Sequence, residues 1–361
     1  MKSKFKVSFL IIALVPIFSL SACGNKKVSA LSGKEAVDGP IVVVKIDDTD
    51  EAHPQVGIDK ADLVYIEQVE GGLVRLAAIF STVIPDRIGP VRSARISDID
   101  LLSQFGKVAF FYSGAQSKFL PVLKAANLHD LGAEHESPKL YSRDPERFSP
   151  FDMILVGSEI RSRIAKLDVA TAKNIGWSFG KLSNTGTSID SVKIKWPAAK
   201  YEANWTVHGW QLIHNGKIDI TSDGKIITPT TLVIQKVVIT DSEYRDKVGG
   251  VTPFSATIGE GSGWVLRDGI AIKAKWNRTD ANSGTTWSDE KGDVIKVDVV
   301  GDSLKGISLK GIRISGRKLE LYGSLFNTFK LKMGNTEGRT YKGNLEMKVL
   351  RGRLRVVNIT D

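Results

Sequence analysis

The sequence predicts an α+β or α/β fold: an N-terminal layered α/β domain, then a mainly β domain and a β-rich basic tail. Over about residues 40–165, short β-branched runs alternate with segments of helical character, which is typical of layered α/β domains. From about residue 178 onward, alternating apolar and polar runs are separated by turn dipeptides such as Asn215-Gly216 and Asp268-Gly269. These dipeptides indicate hairpins.

The first 23 residues have the layout of a secretion signal. Lys2, Lys4 and Lys6 precede an almost wholly apolar run over residues 7–20, which is short for a transmembrane helix of about 20 apolar residues. Leu20-Ser21-Ala22-Cys23 then resembles the lipobox of bacterial lipoproteins, in which the cysteine is diacylated with palmitate-type chains and becomes the N-terminus. We therefore expect a lipid anchor at Cys23 on the extracytoplasmic face of the cell membrane. The alternative is a plain signal peptide with a chance cysteine.

The remaining chain divides by composition into four segments. Residues 24–40 are polar and are expected to form a flexible tether. Residues 41–177 form the expected α/β domain, with strands over 41–46, 61–67, 73–80 and 107–112 and helices over 98–105 and 116–126. The expected β domain covers residues 178–296, and the basic tail covers 297–361.

Charge and cysteine content restrict the classes of partner. The net charge of +10 falls to +7 when the three signal lysines are removed, and residues 297–361 alone carry 13 Lys and Arg against 6 Asp and Glu. Because a secreted protein does not meet the genome, no nucleic-acid partner is expected. The expected anions are teichoic-type phosphates, peptidoglycan carboxylates and lipid-linked precursors. A solvated basic strand face is an equally good interpretation of the tail.

Charged residues among the first strands give the candidate binding site. Arginines after the turn at Gly89-Pro90 would share a helix face if a helix starts near Pro90, and guanidinium groups there would bind phosphate or carboxylate. The predicted ligand-binding residues are Arg75, Arg92, Arg95, Arg143, Asp47, Asp48 and Glu70. The alternative is that these charges form structural ion pairs. The single cysteine excludes a disulfide, the five histidines lack metal-ligand spacing, and no metal or cofactor is predicted.

Three long motifs in the N-terminal half, at residues 56–65, 69–80 and 88–95, strongly resemble the YerB-like lipoprotein family. The segments at 141–147 and 263–269 are similar to its later arginine-rich motif and its C-terminal module, so the resemblance spans roughly residues 40–290. Its N-terminal module is classed as a domain of unknown function, and the resemblance implies no catalytic residue. Phe151 stands where the family pattern leads us to expect histidine. Short segments near 321–323, 341–345 and 354–358 are similar to the opening of stage II sporulation protein D-like domains.

These observations favour an envelope lipoprotein that binds an anionic wall or lipid-linked component through an arginine-lined pocket. Whether it is an enzyme stays open. One alternative is a metal-assisted phosphotransferase acting on polyprenyl-pyrophosphate-linked wall polymer, with Mg²⁺ held by carboxylates such as Asp47. The other alternative is a scaffold that holds wall enzymes near the membrane.

Overall fold

The computed structural model describes residues 27–297 in full and, beyond them, only the backbone of residue 298 and the backbone course of strands between residues 307 and 359. Strand accounts for 42% of the residues and helix for 11%. The elements of the first half are β1 Val42–Asp47, β2 Leu63–Gln68, β3 Val74–Phe80, β4 Arg87–Ile88, α1 Ser97–Ser103, β5 Val108–Tyr112, α2 Leu120–Ala125, β6 Leu128–Gly132, β7 Tyr141–Arg143, β8 Met153–Val156 and α3 Gly157–Ile164.

In the described part of the second half, every helix-or-strand element is a strand. They are β9 Ser178–Phe179, β10 Thr187–Ser188, β11 Ser191–Lys195, β12 Lys200–Thr206, β13 Gly209–His214, β14 Lys217–Ile218, β15 Thr231–Gln235, β16 Ile239–Arg245, β17 Val251–Ser255, β18 Gly259–Arg267, β19 Ile270–Arg278, β20 Thr286–Asp289, β21 Lys296–Asp298, β22 Ile307–Ser308, β23 Gly311–Ile312, β24 Lys318–Leu321, β25 Thr328–Leu331, β26 Arg339–Lys342, β27 Asn344–Leu350 and β28 Arg353–Ile359.

The first sheet carries the residues on which the candidate site is built. Its strand order is β2-β3-β1-β5-β6, with β1 antiparallel to β3 and parallel to β5. Val42, Val43 and Val44 are fully buried because apolar clusters cover both faces of the sheet. This two-sided burial explains why β1 is a continuous apolar run rather than an alternating one.

The predicted α+β or α/β layered fold is wrong, because the protein is mostly β strands arranged in several sheets. The three helices of the described residues have seven, six and eight residues, too short to form covering layers. One face of the first sheet is instead covered partly from the second half of the chain. Tyr244 of β16 lies in the buried cluster on that face, with its ring 5.4 Å from that of Phe119.

The second half contains two principal sheets. One has the order β10-β19-β18-β15, with β20 paired to β19, and the other runs β11-β12-β13-β14. Asn215 and Asp268 adopt positive φ values of 47° and 54° in the turns that join β13 to β14 and β18 to β19. The structure therefore has hairpins where the Asn-Gly and Asp-Gly signals predict them.

Three other expectations concern the ends of the chain: the tether, the signal peptide with its cysteine, and the basic tail. Residues 27–40 were expected to be part of a flexible tether, but Leu31 is buried in the core and Ala30 N–H donates to Asp38 Oδ2 at 2.8 Å. The predicted signal peptide and Cys23 lie outside the described residues. So do the side chains of the basic tail. Within the described part, no helix is long and apolar enough to cross a membrane.

Candidate functional site

Two consecutive carboxylates at the end of β1 lie in two different groups of side chains. Successive side chains of an extended strand point to opposite sides, so Asp47 and the next residue, Asp48, face apart. Asp47 lies directly opposite Arg75 of β3 and contacts Arg92, whereas Asp48 contacts His53 and Tyr201. A Mg²⁺ ion held jointly by these two carboxylates is therefore not what the geometry favours.

Arg75, Arg92 and Arg95, with the carboxylates of Asp47 and Glu70, form what we call the arginine cluster. Arg92 Nε donates to Asp47 Oδ2, and Arg95 Nε donates to Glu70 Oε2 at 2.9 Å. Although burial opposes ionisation of Asp47, the Thr49 amide and the Arg92 guanidinium lower its pKa below the usual range. Two of the three arginines are thus in ion pairs, as the structural alternative predicts.

Arg75 differs from the other two arginines. Its Nη1 donates to the Ser93 carbonyl at 3.0 Å, and no carboxylate of residues 27–297 lies within ion-pair distance of its guanidinium. Burial and the neighbouring charges of Arg95 and Arg92 lower its pKa to about 9, against the opposing effect of Asp47. Three guanidinium groups therefore face two carboxylates, which leaves one positive charge without a counter-ion in the cluster.

The chain around Arg92 is extended, not helical. Arg92 N–H donates to the Lys45 carbonyl at 2.8 Å, and α1 begins only at Ser97. The prediction of a helix from Pro90 that presents Arg92 and Arg95 on one face is therefore wrong. The arginines reach the cluster because this segment runs beside the end of β1, as an Ile46–Val91 bridge shows.

Arg143 lies apart from the arginine cluster. It is 61% exposed and pairs with Asp152 at 2.8 Å, next to Phe151. The Phe151 ring centroid lies 5.6 Å from the Arg92 guanidinium carbon, so the residue that replaces the expected histidine stacks against the cluster.

A buried ionic network adjoins the arginine cluster. Lys45 is fully buried, and its Nζ donates to Asp98 Oδ1 at 2.7 Å and to Glu67 Oε1. Burial and the nearby Asp98 carboxylate raise the pKa of Glu67 to about 8. Asp98 also accepts the Arg95 N–H at 2.7 Å, so this network fixes the backbone that carries Arg95.

Asp48, His53 and His214 form a second cluster, which we call the histidine cluster. Asp48 Oδ1 lies 3.1 Å from His53 Nε2, and Asp48 Oδ2 lies 3.9 Å from His214 Nε2. The two imidazole rings are stacked, with centroids 4.3 Å apart and planes 12° from parallel. Asp48 is fully buried, and Tyr201 OH donates to both of its oxygens at 2.8 and 2.9 Å.

The histidine cluster was missed from the sequence. His53 follows β1 in the chain, while His214 ends β13, and the intervening sequence gives no sign that they meet. The Asn215-Gly216 turn signal locates His214 at a strand end, but it does not identify the surface on which that end packs. The resemblance motifs begin at residue 56 and so did not draw attention to His53 either.

Both halves of the chain match one protein family. Residues 28–170 match the N-terminal domain, and residues 192–299 the C-terminal domain, of DUF3048, a protein of unknown function. The chain belongs to the YerB-like family. The family resemblance predicted from residues 56–95, 141–147 and 263–269 is thereby confirmed. The resemblance of the tail to sporulation protein D-like domains lies beyond both matches and stays a prediction.

YerB of Bacillus subtilis is similar to this chain both in sequence and in structure. "Putative lipoprotein YerB" of strain 168 is 39% identical over 69 residues, which are 19% of this chain and 20% of that protein. The match therefore spans about a fifth of the relative's length. The crystal structure of YerB protein has a TM-score of 0.60 at 19% identity, covering 73% of this chain and 90% of that one. At this identity the likeness shows a shared fold.

Proposed function

We propose that this protein is a lipid-anchored lipoprotein of the extracytoplasmic membrane face that binds an anionic envelope component at the arginine cluster. The anchor would be Cys23, at the end of Leu20-Ser21-Ala22-Cys23. The name of the YerB relative supports this assignment. Two acyl chains on one cysteine hold a protein stably at a membrane, whereas a single chain is marginal.

The observation that carries the binding proposal is the unpaired charge of Arg75. Its guanidinium lies beside two others, is partly buried, and donates to a backbone carbonyl rather than to a carboxylate. Arg92 uses Nε for Asp47 and is 26% exposed, so its terminal nitrogens can donate to a ligand from solvent. An anion bridging Arg75 and Arg92 would complete the charge balance, and paired guanidinium groups suit phosphate and carboxylate oxygens.

The ligand class follows from the proposed location. At the outer membrane surface the available anions are teichoic-type phosphate polymers, lipid-linked precursors and peptidoglycan carboxylates. All three present oxyanions that a guanidinium group can bind in bidentate fashion. Since the described geometry assigns no nucleophile or general base to the cluster, the proposal is binding rather than turnover.

Binding can be tested with isolated cell walls and with vesicles carrying a polyprenyl-pyrophosphate-linked precursor. Arg75→Gln should weaken binding at least about tenfold, because a charge-assisted hydrogen bond contributes about 1.5–3 kcal/mol. Arg143→Gln is the matched control, since Arg143 is exposed and paired with Asp152 outside the cluster. Unchanged affinity in Arg75→Gln, or equal losses in both variants, would contradict the proposal.

A further inference from the structure

We propose that Asp48, His53 and His214 form a binding site for one divalent transition-metal ion of the Zn²⁺ class. The three donor atoms all lie within 4.8 Å of one another. Ligands about 2.0–2.1 Å from a tetrahedral ion are about 3.4 Å apart. Asp48 Oδ1 lies 3.1 Å from His53 Nε2, and its other oxygen, Oδ2, lies 3.9 Å from His214 Nε2. Two imidazoles and one carboxylate are a donor set suited to zinc, with a fourth position for water.

The groups behind the three donors are arranged as in built metal sites. His53 Nδ1 lies 3.1 Å from Asp219 Oδ1, and His214 Nδ1 lies 3.5 Å from Asp50 Oδ1. The Asp219 carboxylate holds the proton of His53 on Nδ1 and leaves the Nε2 lone pair for the metal. Tyr201 OH fixes the orientation of the Asp48 carboxylate. Two of the three donors, Asp48 and His53, are therefore positioned by hydrogen-bond partners of their own.

An independent observation comes from Gln55, which is fully buried against the cluster. Its Nε2 donates to the Asp47 carbonyl and to Asp48 Oδ1, and lies 3.3 Å from His53 Nε2. Its Oε1 is buried and has no hydrogen-bond partner among the described residues. Buried polar atoms are normally satisfied, so an ordered water beside the cluster would complete the hydrogen bonding of this acceptor.

The site would join two parts of the chain. Asp48 and His53 lie in the first family-matched segment, and His214 lies in the second. An ion here would hold the end of β1 against the sheet of β11–β14, so metal binding and docking of the two segments would be coupled. This inference does not rest on the anion-binding proposal.

The test is a Zn²⁺ titration of the chelator-treated mature chain, with Co²⁺ as a spectroscopic probe of the ligands. We expect one equivalent of tightly bound Zn²⁺, a rise in melting temperature on binding, and a visible Co²⁺ spectrum of a low-coordinate site. His53→Gln and His214→Gln should lose at least 100-fold in affinity. His208→Gln, which changes an exposed histidine in the turn between β12 and β13, is the control and should bind as wild type.

A second variant keeps the test decisive if a ligand substitution prevents folding. Asp219→Asn removes the negative charge of the group that accepts from His53 Nδ1 and should weaken Zn²⁺ binding by about 10- to 100-fold. Absence of stoichiometric binding, or equal binding by wild type, His214→Gln and Asp219→Asn, would overturn the metal site. Arg75→Gln should bind Zn²⁺ normally, so failure of either proposal can be recognised separately.

Discussion

Comparing Arg92→Gln with Arg75→Gln tests whether Arg92 is needed for the stability of the arginine cluster while Arg75, which has no ion-pair partner among the described residues, is not. Arg92 neutralises Asp47, which is only 2% exposed, so its removal leaves a buried carboxylate unpaired. Breaking a buried pair costs about 3–5 kcal/mol. We expect the lower end of that range, about 3 kcal/mol, because Arg92 is partly exposed and Thr49 still donates to Asp47 through its amide and hydroxyl at 2.8 Å.

Arg75→Gln should behave differently. It loses one hydrogen bond to the Ser93 carbonyl, which costs about 1 kcal/mol. It also removes the repulsion from Arg95 and Arg92 that, together with burial, lowers the Arg75 pKa. These effects oppose each other, so the free energy of unfolding at pH 7 should change by less than about 1 kcal/mol.

The assay is equilibrium urea unfolding of both variants and of Arg143→Gln at one pH and ionic strength. Arg143 forms an exposed ion pair, and exposed pairs contribute about 0–1 kcal/mol. The expected order of destabilisation is Arg92→Gln first, with Arg75→Gln and Arg143→Gln close to wild type. A loss of about 3 kcal/mol in Arg75→Gln would refute the reasoning, since it would make Arg75 part of the structural pairing.

Three further predictions concern the other groups. The folded-state pKa of Glu67, about 8, lies above its ordinary value of 4.5, so the folded state holds a proton that the unfolded state releases. Urea stability should therefore fall as pH rises from about 5 to 8. Glu67→Gln should flatten that dependence, and an unchanged slope would contradict it. Tyr201→Phe removes the hydroxyl whose single proton is shared between the two oxygens of buried Asp48. Loss of this hydrogen bond to a charged group should cost about 1.5–3 kcal/mol in urea titrations, and a loss below about 0.5 kcal/mol would argue against this role. Cys23→Ser should release the protein from the membrane fraction, with the acyl mass missing from its N-terminal peptide, and retention in that fraction would argue against the anchor.

Local signals in the sequence located many strands but not the architecture. The apolar run at 41–46 and the two turn dipeptides report only on local conformation, and the structure has a strand and two hairpins there. The prediction of a layered fold was wrong because residues distant in the sequence cover part of the first sheet. Tyr244 packs on Phe119 from more than 100 positions away, and no periodicity near either residue encodes that contact.

The two candidate sites also differ in how far apart their residues lie in the sequence. Glu70 lies in the short connection that leads into β3, which carries Arg75, and Asp47 lies on β1, the strand that pairs with β3. A sequence interpretation could therefore place these three residues together. Arg143 was grouped with them by residue type, yet its own strand carries it to Asp152. His53 and Asp219 are 166 positions apart, and only the packing of the second half against the end of β1 reveals that they meet.

The two proposed sites depend on one register. Lys45 and Asp47 face the ionic side of the first sheet, while Ile46 between them is buried in the apolar cluster of the other side. A slip of β1 by one residue would place Lys45 among apolar side chains and Ile46 among charges, and both exchanges are costly. Pairing of Asp47 with Arg75 across β1 and β3 fixes the register. The same backbone pairing places Asp48 beyond the end of the strand, where the histidines reach it, so one strand register positions the carboxylates of both clusters.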